Sequence, residues 1–153
     1  MNNPLFELLS QYADSDRPLI CTPSAENGSA TLSYADFFQQ VSRTATALLE
    51  LGIRPGDRVA LQATKSVEAL AVYLGCVKTG AAFLPLNTAY TAREIDYFLN
   101  DASVSVFITD PDSPLYNRTR TMHWPKTVEC CRSMATIRAA SLKRSVKLSR
   151  VTT

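Results

Sequence analysis

Between Gly52 and Asn87 the chain reads GIRPGDRVALQATKSVEALAVYLGCVKTGAAFLPLN. Two short apolar runs, Arg58 to Gln62 and Ala81 to Leu86, flank a longer segment from Ser66 to Thr79. The runs have strand length and are bounded by Gly and Pro. In the segment between them Val67, Leu70, Ala71, Leu74 and Val77 recur at helical spacing, and Gly80 suits a helix exit. A strand, a helix and a second strand of these lengths predict a parallel pair joined by a right-handed crossover. Ahead of the first strand, Pro55 fixes φ and Gly56 tolerates positive φ, which predicts a tight turn over residues 53–57.

The same rhythm continues downstream. Thr91-Ala92-Arg93-Glu94 has the pattern of a capping box, in which hydroxyl and carboxylate satisfy orphan amides at a helix start. Ile95, Phe98, Leu99 and Ala102 follow at helical spacing, and Val104 to Thr109 predicts a last strand. Upstream, Ser33-Tyr34-Ala35-Asp36 opens a predicted helix with Phe37, Phe38, Val41, Ala45, Leu48 and Leu49 on one stripe, ended by Gly52. Pro18 to Cys21 and Ala30 to Leu32 form a candidate hairpin across a polar turn at Ser24–Ser29. Leu5, Phe6, Leu8, Leu9 and Tyr12 give a short apolar helical face after Pro4. The fold class is therefore α/β, with a mostly parallel sheet flanked by helices.

Composition divides the chain in two. Residues 1–110 carry 7 Lys+Arg and 12 Asp+Glu, a net −5, whereas residues 111–153 carry 9 and 2, a net +7. The two halves sum to the overall +2. All five glycines lie at or before Gly80. No apolar run is long enough to span a bilayer, and the N-terminus lacks the basic and apolar regions of a secretory signal, so a cytoplasmic address is expected. Cys21, Cys76, Cys130 and Cys131 form no CxxC, and His123 has no ligand-spaced partner, so no metal site is expected. Free thiols in a reducing compartment are the expectation, and the sequons at Asn27 and Asn117 carry little meaning there.

Three motifs carry a resemblance to a known family. Leu32-Ser33-Tyr34-Ala35-Asp36-Phe37 is similar to the first core motif of adenylate-forming enzymes, L-[ST]-Y-x-[DE]-[LF]. Gly52-Ile53-Arg54-Pro55-Gly56-Asp57-Arg58-Val59-Ala60 resembles their G-[IV]-x-x-G-D-R-V-A turn. Val77-Lys78-Thr79-Gly80-Ala81-Ala82-Phe83-Leu84-Pro85-Leu86-Asn87 resembles the second core motif. They stand in the family's order and spacing, within a resemblance that covers roughly residues 4–110. Pro85 to Thr91 with Glu94 to Phe98 looks most like malonyl-CoA synthetases. The resemblance implies the incomplete N-terminal subdomain of an AMP-forming acyl-CoA synthetase. Such enzymes use ATP, Mg²⁺ and CoA to convert a carboxylate to an acyl-adenylate and then a thioester.

The family's phosphate loop is a [ST]-S-G-[ST]-T-G-x-P-K-G stretch whose glycines let backbone donors close on phosphate oxygens. It would follow this region, yet no glycine occurs after Gly80. The later catalytic lysine is not matched either. No catalytic, cofactor-binding or metal-binding residue is therefore assigned, and the chain alone is expected to be inactive. Ser33 and Asp36 are read as helix caps, Gly80 as a helix end and Pro85 as a strand exit. Thr64-Lys65-Ser66 lacks the preceding glycines of a P-loop, so Lys65 is read as a surface lysine before a helix. Glu94 and Asp96 point apart on their helix and make no acid–base pair.

After residue 110 the family pattern stops. Residues 111–153 are read as an unrelated basic tail, irregular or translated out of frame. Another frame past codon 114 should then restore the phosphate loop. A basic helix over Ser133–Val151, with Met134, Ile137, Leu142, Val146 and Leu148, does not hold one face. Two other readings compete. The tail could bind nucleic acid or an anionic membrane by charge alone, although it lacks interleaved aromatics. Or the chain could be a non-catalytic partner that docks on a full-length synthetase, or self-associates through an exposed sheet edge.

Overall fold

The structure is a computed structural model that describes residues 3–22, 30–110 and 113 and the strand at 127–129. The candidate turn at residues 24–29, both sequons, His123, Cys130, Cys131 and the candidate basic helix lie outside the described residues.

The hairpin comes from β1 (Pro18–Thr22) and β2 (Ala30–Ser33), which pair antiparallel. A second sheet holds β3 (Arg58–Gln62), β4 (Ala82–Pro85), β5 (Val106–Thr109) and β6 (Thr127–Glu129) in the order β4-β3-β5-β6. All its neighbours run parallel. The helices are α1 (Pro4–Ser10), α2 (Tyr34–Glu50), α3 (Val67–Thr79) and α4 (Ala92–Asp101). The α/β class with a parallel sheet between helices is as the sequence predicts. No strand is expected from sequence beyond Thr109. β6 adds one inside the basic region, so the sheet crosses the boundary drawn at residue 110.

The helices begin and end where the caps dictate. Asp36 N–H donates to Ser33 Oγ at 3.1 Å, and Ala69 N–H donates to Ser66 Oγ at 3.2 Å. Thr91 and Glu94 make the full reciprocal box: Thr91 N–H donates to Glu94 Oε2 at 2.8 Å, and Glu94 N–H to Thr91 Oγ1 at 3.4 Å. At the exit of α2, Gly52 (φ 82°) donates to Leu49 O at 2.8 Å and Ile53 N–H to Leu48 O at 3.1 Å. This is the paired pattern of a Schellman end. Gly80 (φ 75°) and Ala81 repeat it on Val77 and Cys76. Ser103 (φ 48°) and Val104 repeat it on Asn100 and Leu99, here without a glycine.

Alternation along the strands decides which helix covers which face. Val59, Leu61, Val106 and Ile108 pack with Val72 and Cys76 of α3 and with Ala47 and Leu48 of α2. Ala60 and Phe107 point the other way, onto Ile95 and Leu99 of α4. A third cluster joins Phe37, Phe38 and Val41 of α2 to Ala71 and Leu74 of α3, with Phe6, Leu9 and Leu32 packed against it. Helix α3 is thus sandwiched between the sheet and α2.

That placement corrects the single buried stripe expected for α3. Leu70 is 50% exposed, whereas Val72, Gly75 and Cys76 are buried. A helix covered on two sides hides residues that a one-stripe pattern leaves out. Leu49 of α2 is likewise exposed, and Thr44 and Ala47 are buried in addition to the expected residues. Leu5 and Leu8 of α1 and Tyr12 in the turn after it are exposed, and Phe6 and Leu9 alone of the expected face pack inward.

Candidate functional site

In an open parallel sheet, ligands gather beyond the carboxyl ends of the strands where the winding reverses. Here β3 is followed by β4 on one side and, after α4, by β5 on the other. The reversal therefore lies between β3 and β5, at Gln62 and Thr109, which face each other in register.

Three segments are tied together at this edge. Thr64 donates to Asp110 Oδ2 twice, from its amide at 3.0 Å and from Oγ1 at 3.3 Å. This fixes the loop after β3 to the residue after β5. Gln62 Nε2 donates to the carbonyl of Asn87 at 2.9 Å, which fixes β3 to the loop after β4. Asn87 Oδ1 accepts from Ala89 N–H at 2.9 Å and shapes that loop. Thr109 is fully buried, and its Oγ1 has no hydrogen-bond partner among the described residues.

The chemistry this edge offers is restricted. Lys65 is exposed, as predicted, and the hydroxyl of Ser66 is engaged as the cap of α3. No glycine lies between β3 and α3 to bring several amides onto one phosphate. The loop between β3 and α3 therefore lacks a phosphate cradle of the P-loop kind. Burial pushes the thiol of Cys76 up to about 12, so it is no thiolate nucleophile near neutral pH. The hydroxyl and amide of Thr91 hold the Glu94 carboxyl below its usual range, where it stays ionised as a cap. Among the described residues no group of three or more His, Cys, Asp and Glu could hold a metal ion.

Of the sequence-assigned scaffold residues, Ser33, Gly80 and Pro85 sit in those roles, whereas the Asp36 carboxylate accepts from the Ser33 hydroxyl and not from a backbone N–H, so the capping box read at Ser33–Asp36 forms only its Ser33 half. Ser33 caps α2 and its hydroxyl also donates to Asp36 Oδ2 at 2.8 Å. Pro85 closes β4. Sequence reasoning missed the edge formed by Gln62, Thr64, Asn87 and Asp110. The local trace of it in the sequence is a polar residue at or just beyond the end of each apolar run, at Gln62, Asn87 and Asp110.

Comparisons with known proteins bear on this arrangement. The family model described as "AMP-binding enzyme" matches residues 10–151, a span that includes β6. A feruloyl-CoA synthase of Amycolatopsis sp is 36% identical over 89 residues, 58% of this chain and 18% of that protein. A crotonobetaine/carnitine--CoA ligase of Salmonella typhimurium is 32% identical over 106 residues, 69% of this chain and 20% of that protein. Among solved structures, apo MatB from Rhodopseudomonas palustris superposes with a TM-score of 0.76 at 33% identity, covering 91% of this chain and 28% of that one. The chain thus spans between 18% and 28% of the length of these relatives.

Proposed function

Because the chain belongs to the AMP-binding enzyme family, we propose that it supplies the N-terminal scaffold layer of an AMP-forming acyl-CoA synthetase, with malonate or a related short acid as substrate. The parent reaction joins ATP, a carboxylate and CoA into acyl-CoA, AMP and pyrophosphate. The observation that carries this reading is the superposition on MatB of Rhodopseudomonas palustris at 33% identity over 91% of the chain. The Pro85 to Phe98 stretch leans the same way.

In this role the chain's residues position and do not react. Asp110 and Gln62 lock the loops at the carboxyl edge of the sheet, against which a nucleotide-gripping loop supplied by further sequence would be held. ATP, Mg²⁺ and CoA would be bound by groups outside these 153 residues, so the polypeptide has no ligase activity of its own. A cytoplasmic location follows from the same reading. Among the described residues no helix is long and apolar enough to cross a membrane. The break in composition after residue 110 still favours a tail of different origin, although β6 and the family match to residue 151 weigh against a break as early as residue 111.

A graft tests the reading. Residues 4–110 replace the matching segment of Rhodopseudomonas palustris MatB, and malonyl-CoA formation is followed by mass spectrometry. The scaffold reading expects product from ATP, CoA and malonate. A chimera that folds with MatB's thermal midpoint and yields no acyl-CoA from malonate, methylmalonate or acetate contradicts it.

A further inference from the structure

Strand β5 lies in the stretch of this chain most prone to pair with copies of itself. Residues 102–109 read ASVSVFIT, with no charge, no proline and no glycine. A run so rich in β-branched and aromatic residues is a template for strand addition whenever its edge is open. In the fold it is covered. Val106, Phe107, Ile108 and Thr109 are each at most 2% exposed. One neighbour is β3, in register from Val59 opposite Val106 to Gln62 opposite Thr109. The other is β6, in register from Phe107 opposite Thr127 to Thr109 opposite Glu129.

Alternate residues of a strand turn their peptide groups to opposite neighbours, so β3 can serve only half of those on β5. The other half falls to β6. Without it, a row of unpaired amides and carbonyls would run beside an uncharged apolar segment.

The two strands that do end the sheet, β4 and β6, are poor templates. On β4, Ala82 and Leu86 turn their amides inward, onto Asp57 O and Leu61 O, each at 2.8 Å. Pro85 belongs to the outward set and has no N–H, which leaves Phe83 as the one outward donor among residues 82–86. β6 is three residues long, and so short an edge gives a further strand little to pair with. In the sequence Pro125 and Lys126 come just before it. Residues 111–153 carry 9 Lys+Arg against 2 Asp+Glu, a net +7 that sets copies against each other.

We propose that β6 is an edge guard: a short strand drawn from the basic region that seals β5 against strand addition, so that the chain stays a monomer. The basic region then has a task in the fold although its composition departs from that of residues 1–110.

The test uses the full 153-residue chain, reduced and labelled with nitrogen-15. Amide hydrogen exchange is followed by NMR, and mass by light scattering after size exclusion. A guarded β5 exchanges uniformly: the amides of Phe107, Ile108 and Thr109 are expected to agree within about tenfold, all far slower than the outward amide of Phe83 on the open edge. The parent is expected to elute as a monomer. In Val128→Pro/Glu129→Pro, adjacent prolines remove whichever amide of the two reaches β5. Alternate β5 amides should then exchange about a hundredfold faster, and the variant should assemble into oligomers while its helical circular dichroism persists. The proposal is overturned if protection alternates across Phe107, Ile108 and Thr109 in the parent, or if the parent itself forms oligomers. A double variant that keeps its helices and remains monomeric overturns it as well. Should the double variant lose its fold, the exchange pattern of the parent decides alone.

Discussion

The amide of Gly56 donates to the carbonyl of Gly80 across 2.8 Å, which joins the turn before β3 to the exit of α3. The two glycines belong to motifs that are separate in sequence and meet only in the fold. Asp57 N–H donates to Arg54 O at 3.0 Å and closes a turn with Pro55 and Gly56 (φ 88°) at its centre. A Cβ on Gly80 would lie 3.2 Å from Cβ of Pro55 in that turn.

Alanine at the two positions should therefore differ in cost. Gly56→Ala meets open space and pays only for positive φ, about 1–2 kcal/mol. Gly80→Ala carries the same conformational strain and also pushes on Pro55, adding about 1 kcal/mol or more. Urea denaturation followed by circular dichroism should rank parent, Gly56→Ala and Gly80→Ala in falling midpoint. Equal midpoints for the two variants would refute the contact.

Gly75 sets how closely α2 and α3 approach. A Cβ there would stand 3.0 Å from Cγ2 of Thr44 and 3.3 Å from the backbone nitrogen of Ala45. Alanine would normally gain about 1 kcal/mol in a helix interior, but overpacking costs about 1–3 kcal/mol. Gly75→Ala should thus destabilise despite its better propensity. In a double-mutant cycle, Thr44→Ala should recover at least ~0.5 kcal/mol of that loss, and simple additivity would argue against the close approach.

Ser103 ends α4 in the left-handed conformation that glycine occupies after α2 and α3. Ser103→Gly should raise stability by about 0.5–1 kcal/mol by relieving the Cβ clash of that conformation, despite glycine's greater unfolded-state freedom. A lower melting temperature in the variant would contradict the assignment.

The Thr91–Glu94 box predicts a pH dependence with a definite sign. The Glu94 carboxyl is held below its unfolded value, so its contribution is present above the ordinary glutamate range and is lost as pH falls through the lowered folded value. Glu94→Gln should melt below the parent at neutral pH, and the gap should close under acid conditions. A gap that is constant with pH would assign the effect to something other than the ionised cap.

How much of this was legible in the sequence depends on the range of the interaction. Caps and turns use neighbours three to five residues apart, so Ser33, Thr91, Gly52 and Gly80 could be placed from sequence alone. Strand and helix types followed from periodicity. What failed was the count of faces. One buried stripe was expected on α3, yet the helix lies between the sheet and α2, which exposes Leu70 and buries Val72 and Cys76. β6 escaped notice because its three residues are too short to show alternation and sit in a basic stretch. The edge at Gln62, Thr64, Asn87 and Asp110 was illegible because its bonds join residues 25 and 46 positions apart.

The central claim is that these residues build a scaffold and grip no nucleotide. ATP–pyrophosphate exchange by the purified 153-residue chain, with Mg²⁺ and malonate, tests it most directly. The account predicts exchange indistinguishable from a no-protein blank. Malonate-dependent exchange above that blank, removed by heat denaturation of the chain, would contradict it.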